Sequence, residues 1–208
     1  MIIIEKAGEG DLGYQILSLL ILAAFYTIYI GKMLAQKKKG IQTDHIAKGE
    51  KKKTLMTTEA AMKVATYGIV GAEAFSIILN AGSLGPAVRV TGIFIGFAGV
   101  IVFGMAVYTM RDSWRAGIPE KDKTAMVTEG IYSISRNPAF VGFYLTYIGI
   151  LLTFFNWILL AFTICSIVLL HLQILKEEEY LPTVFGDDYI RYKNRVGRYI
   201  GRKGNFYG

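Results

Sequence analysis

GIYSISRNPAFVGF, residues 130–143, and KEEEYLPTVFGDDYIRYKNRVGR, residues 176–198, bracket an almost uncharged stretch. Between them run two apolar segments, 139–155 and 157–175, interrupted only by Asn156. At 1.5 Å per residue each segment is close to the length of one bilayer crossing. The spacing therefore predicts a tight helical hairpin that turns at Phe154-Phe155-Asn156-Trp157 and returns the second polar motif to the level of the first. Polar and charged side chains beside a membrane segment are costly unless they are used. The two motifs read as two halves of one site.

Composition supports a membrane setting. Of 208 residues 53% are hydrophobic, and the mean hydropathy is +0.40. Further spans are expected at 14–33, at 61–79 and at 88–110, the last with a small-residue face built from Gly92, Gly96 and Gly99. The expected fold is an all-α integral membrane protein of five transmembrane helices, the last two a tight hairpin, with a cytoplasmic C-terminal catalytic region. Residues 1–110 would hold three spans and a basic cytoplasmic loop, and 111–208 the catalytic core. Of the 23 Lys and Arg residues, 21 fall in 31–63, 111–136 and 176–208, leaving Lys6 and Arg89 for the other side. The positive-inside rule then places the N-terminus outside and the C-terminus in the cytoplasm. The net charge of +7 is explained by loops facing anionic lipid rather than by nucleic acid.

Several chemistries are disfavoured. One cysteine, Cys165, and two separated histidines, His45 and His171, give no disulfide framework and no metal cluster. Gly8-Glu9-Gly10-Asp11-Leu12-Gly13 matches GxGxxG formally, but a span rather than a βαβ unit follows it. Glu73, within the second span, is a functional candidate by its position.

In the second motif Gln173 and Glu177 share a helix face, while Glu178 is rotated by about 100° and Glu179 is expected to be a solvated charge. In the first motif, Tyr132, Arg136, Asn137 and Phe140 stand at a helix start, where free backbone N–H groups attract a carboxylate. An acidic group opposite an aromatic-lined helix start suits a zwitterion that also carries a soft cation.

The two motifs resemble the isoprenylcysteine carboxyl methyltransferase family, within the wider phospholipid methyltransferase-like group. The resemblance rests on Gly130, Tyr132, Arg136, Asn137, Pro138, Phe140 and Gly142, then Glu177, Glu178, Leu181, Phe185, Gly186, Tyr189 and Tyr192. It implies S-adenosylmethionine-dependent transfer of a methyl group to a lipophilic acceptor that enters from the bilayer, at the cytoplasmic face. The implied cofactor residues are Thr124, Ala125, Met126, Val127, Tyr132, Arg136, Asn137, Pro138, Ala139, Phe140, Glu177 and Glu178. Glu177, Gln173 and Arg195 are the implied catalytic group, and no metal is implied. Asn137 stands where histidine is commoner and cannot carry a proton. Gln173 stands where an arginine near the substrate carboxylate can occur, and it offers no charged fork. Two alternatives stay open: an NADPH-dependent membrane reductase, using Arg191, Arg195, Arg198 and Arg202 for a 2′-phosphate, and a non-catalytic lipid-binding protein.

Overall fold

The computed structural model describes residues 9–43, 53–115 and 125–202, and among these every regular element is helical. The helices are α1 (Glu9–Lys38), α2 (Lys53–Ile78), α3 (Pro86–Met110), α4 (Pro138–Thr153) and α5 (Trp157–Arg195). Four of them, α1, α2, α3 and α5, are long and apolar enough to cross a membrane; α4, of 16 residues, is shorter. Residues 44–52 of the central basic loop lie outside the described residues. Glu9–Gly13 is helical, so the described part of the GxGxxG match forms no phosphate loop.

Helices α3 and α4 approach backbone to backbone because both present glycine. A Cβ on Gly99 would stand 2.6 Å from the Thr146 nitrogen, and one on Gly149 would stand 2.5 Å from the Gly96 nitrogen. The expected small-residue face on α3 thus has a matching one on α4, formed by Gly142, Thr146, Gly149 and Thr153. Thr146 and Thr153 turn their hydroxyls back to the carbonyls of Gly142 and Gly149, and the Thr153 hydroxyl also reaches the Arg89 carbonyl of α3 at 3.3 Å.

The turn between α4 and α5 falls where the sequence indicates. Asn156 caps α5 by accepting from the Leu159 amide at 2.9 Å, and its amide donates to Ser76 Oγ at 2.9 Å. The arms, however, do not stay together. α4 packs chiefly on α3, and α5 packs on α2, with Phe162 covering Gly68. The reason is local: glycines draw α4 to α3, while α5 offers bulky Leu159, Phe162 and Leu170 to α2 and α4. This corrects the expectation of a hairpin tight along its length, and the opened arms leave room between them. It also means that α2 and α3 pack directly on the two arms.

Arg89 ties the far end of the bundle. Its guanidinium donates to Asp11 Oδ1 at 2.6 Å, Asn80 Oδ1 at 2.9 Å and the Thr153 carbonyl at 3.1 Å, and it lies 4.1 Å from the centroid of the Tyr14 ring. Every side of this buried charge is used. At the opposite end, buried Gln36 donates to the Trp114 carbonyl at 3.1 Å and accepts from Thr43 at 2.6 Å, which fixes the segment after α3 against α1.

Candidate active site

α5 continues well beyond its apolar part, through the whole second motif, and changes direction at Gly186, where φ is 54° and ψ is −136°. That conformation suits glycine alone among common residues. Pro182, inside the preceding turn, has no N–H to donate to the helix ladder and loosens it just before the bend. The segment beyond the bend brings Tyr189, Tyr192 and Val196 into one buried cluster with Met126, Leu181 and Phe185. Tyr192 donates to the Tyr132 carbonyl at 2.7 Å. The chain then folds back: Arg136 N donates to the Gly197 carbonyl at 3.0 Å, and Gly201 N donates to the Ile134 carbonyl at 2.8 Å. The tail is therefore strapped to the first motif.

Glu178 is the fastener. Its carboxylate accepts from Arg136 Nη2 at 2.7 Å and from Arg198 at 3.1 and 3.0 Å, and Asn137 Nδ2 lies 3.4 Å away. Arg136 Nη1 donates to the Lys193 and Val196 carbonyls at 2.9 and 2.7 Å. Glu178 and Arg136 are both only 4% exposed at the side chain, so each needs the other. The bond to Glu178 raises the pKa of Arg198 above its ordinary value. Asn137 also donates to the Arg198 carbonyl at 3.1 Å. The interaction needs a donor amide and no proton carrier, which gives asparagine at this position a physical sense.

One helical position away, Glu177 faces elsewhere. It accepts from Gln173 Nε2 at 3.0 Å, and both residues border a cavity of about 500 Å³. The cavity lies between the opened arms and is closed by α1 and α2. Ala139, Phe140 and Phe143 of α4 line it, with Leu170 of α5 and Trp114 after α3. Tyr26, Tyr29 and Met33 come from α1, and Lys63, Thr66 and Val70 from α2. The wall is overwhelmingly apolar, with Glu177, Lys63 and Arg115 as its charged groups. Arg115 is held by bonds to the Asp112 and Trp114 carbonyls at 2.6 and 2.9 Å. Burial, reinforced by Tyr192 and by the charge of Glu177, pushes the Tyr132 phenol far above its ordinary range, so that it remains a neutral donor.

The residues singled out in the sequence thus fall into groups. Gln173, Glu177, Ala139 and Phe140 border the cavity. Tyr132, Arg136, Asn137 and Glu178 form the fastener beside it, and Pro138 starts α4. Met126 packs under the tail, Val127 is half-buried and Ala125 is exposed. Thr124 lies outside the described residues. Arg195 is exposed near the end of α5, away from the cavity wall. Of the other tail arginines, Arg191 pairs with Asp188 and Arg202 donates to the Ser133 carbonyl at 3.3 Å. Sequence reasoning missed Tyr26, Tyr29, Lys63, Trp114 and Arg115, because the first spans look generic. The one available signal was Lys63, a charge at the start of an apolar run.

A bundle of membrane-length helices, all-helical among the described residues, whose last two helices carry paired polar motifs beside an apolar cavity, defines a class of multi-pass membrane protein. Residues 82–188, about half of the chain, match the family model described as Phospholipid methyltransferase, and the chain belongs to that family. It is 32% identical over 111 residues to the Protein-S-isoprenylcysteine O-methyltransferase of Saccharomyces cerevisiae, covering 52% of this chain and 46% of that one. With the Schizosaccharomyces pombe protein of the same name it shares 35% identity over 72 residues, covering 34% of this chain and 30% of the relative. The matched region spans less than half the length of either relative.

Proposed function

We propose that this protein is an integral membrane methyltransferase that uses S-adenosylmethionine to methylate a lipophilic acceptor drawn from the bilayer. The observation that carries the reading is the joining of the two motifs through Arg136, Asn137 and Glu178, with Glu177 and Gln173 turned into the adjoining cavity. Membership of the phospholipid methyltransferase family and the names of the two yeast relatives support it.

The cavity fits such a cofactor by size and donor set. Its volume of about 500 Å³ lies within the range of small-molecule sites. A carboxylate and an amide stand together in a wall built mostly of aromatic and aliphatic groups, with Lys63 and Arg115 as its cations, which suits a zwitterionic molecule that is hydroxyl-rich and partly aromatic. Glu177, Gln173, Ala139 and Phe140 would hold it, with Tyr132, Asn137 and Pro138 shaping the adjoining helix start. When bound, the sulfonium supplies an already activated methyl group. The residues are then asked to position and to exclude water rather than to attack. Glu177 offers charge and a hydrogen bond in surroundings of low polarity, where both are stronger than in water. The Glu178 fastener keeps the helix start and the tail in one piece. Trp114, Phe140 and Phe143 keep the interior dry.

We place the site on the cytoplasmic face, with five crossings, an external N-terminus and a cytoplasmic C-terminus, from the distribution of Lys and Arg. In that arrangement α4 crosses as the short helix, shielded by α3. Calorimetry in detergent tests the cofactor. S-adenosylmethionine binding without NADPH binding is expected, and NADPH binding in its place would contradict the reading. The arginines that a dinucleotide phosphate would need are otherwise engaged or dispersed: Arg198 is on Glu178, Arg191 is on Asp188 and Arg195 stands apart.

A further inference from the structure

The cavity beside the joined motifs gathers its charge at one end. On α2 its wall runs from Met62 and Lys63 to Val70, about two turns further in, and on α5 from Glu177 back to Leu170. Arg115 borders it from the segment after α3. Lys63, Arg115 and Glu177 thus come from three separate parts of the chain, all at the end of the bundle where the motifs meet. The deeper wall, through Tyr26, Val70 and Phe143, carries no charge.

The two cations are placed by specific contacts. Arg115 Nη1 donates to the Asp112 and Trp114 carbonyls at 2.6 and 2.9 Å. The Trp114 carbonyl also accepts from buried Gln36 of α1 at 3.1 Å, and its ring meets Tyr29 edge-on with centroids 5.5 Å apart. The backbone that carries Arg115 is therefore fixed to α1. Lys63 is half-buried on α2. One turn on, Thr66 spends its hydroxyl on the Met62 carbonyl at 2.8 Å, and the Lys63 ammonium is the charge that α2 brings to the wall. Two cations and one carboxylate give the wall both signs. A ligand carrying only positive charge would meet repulsion from Lys63 and Arg115, and a simple anion would meet it from Glu177. A zwitterion satisfies both.

We propose that Lys63 and Arg115 bind the carboxylate at the amino-acid end of S-adenosylmethionine, while Glu177 takes a positive group of the same molecule. The proposal deepens the methyltransferase reading and rests on it. It adds α2 and the segment after α3, which stand outside the two motifs, to the cofactor site. It also makes the carboxylate a determinant of cofactor choice. A charged pair across a partly enclosed wall discriminates strongly against a ligand that lacks one partner.

The test compares S-adenosylmethionine with decarboxylated S-adenosylmethionine, which lacks only the carboxylate, by calorimetry in one detergent at fixed ionic strength. The parent should bind the complete cofactor about tenfold or more tighter, the scale of one hydrogen bond to a charged group. Lys63→Met should weaken S-adenosylmethionine about tenfold and leave the decarboxylated compound within about twofold. Arg115→Gln should act in the same direction, and Lys63→Arg should keep most of the parent's preference. A lysine that merely covers apolar surface with its stem would give no such split, since its loss would affect both ligands alike. Melting curves check that the variants fold, and the comparison on the parent needs no substitution. Equal affinity of the parent for the two compounds, equal weakening of both by Lys63→Met, or a preference that survives the double variant Lys63→Met/Arg115→Gln would overturn this assignment and leave the methyltransferase reading standing. Binding of neither compound to the folded parent would overturn both.

Discussion

Glu177, Glu178 and Glu179 are consecutive and have three different surroundings. Glu179 is exposed beside Lys176, Glu178 is locked between Arg136 and Arg198, and Glu177 turns to the cavity. Their substitutions should separate accordingly. Glu179→Gln should change stability and cofactor affinity by no more than about 0.5 kcal/mol, as surface changes do. Glu178→Ala leaves the Arg136 guanidinium buried and uncompensated, and should cost about 3–5 kcal/mol of stability, read as a lower melting temperature in detergent. Glu177→Gln should melt like the parent yet bind S-adenosylmethionine about 1.5–3 kcal/mol more weakly, the range for a hydrogen bond to a charged group. A large melting shift at Glu177 with unaltered binding would reverse the roles of the first two glutamates.

At the scale of the helices, the decisive contact is α3 against α4. Gly99→Val places a branched side chain where a single Cβ already meets the Thr146 nitrogen at 2.6 Å. It should cost about 3 kcal/mol or more, whereas Gly104→Ala, which meets only Ile28 Cδ1 at 3.4 Å, should be tolerated. Thermal melts of the two variants make the comparison, and equal tolerance would show that the helices are free to separate. The helices themselves were legible in the sequence because apolar length and Gly/Pro/Asn turns mark them without tertiary information: the turn at Asn156 and the start of α4 at Pro138 lie where they were expected. The opening of the hairpin was not legible. It depends on which neighbour each arm prefers, and glycine on α4 is uninformative until α3 stands opposite it. For the same reason the pairing of Arg136 with Glu178 was hidden. A helical wheel separates Glu177 from Glu178, but it does not tell which of the two meets a buried arginine. Glu73 stood out in the sequence by its charge, yet its complete burial depends on the helices packed around α2.

The whole molecule is held at both ends by polar fasteners with an apolar bundle between them: Arg89 with Asp11 and Asn80 at one end, and Glu178 with Arg136 and Arg198 at the other. In the proposed topology the Glu178 end is the cytoplasmic one. A reporter fused after Gly208 should then be cytoplasmic, and one inserted in the loop 80–85 should be external. Both on one side would remove the five-crossing arrangement. The central claim is that the joined motifs form a cofactor site with Glu177 at its polar edge. Its most direct test is calorimetry of S-adenosylmethionine on the parent protein and on Glu177→Gln in one detergent, with matched melting curves. The account predicts saturable binding to the parent, and an affinity roughly tenfold to over a hundredfold lower for the variant. Absence of binding to the folded parent, or equal binding to both, would contradict it.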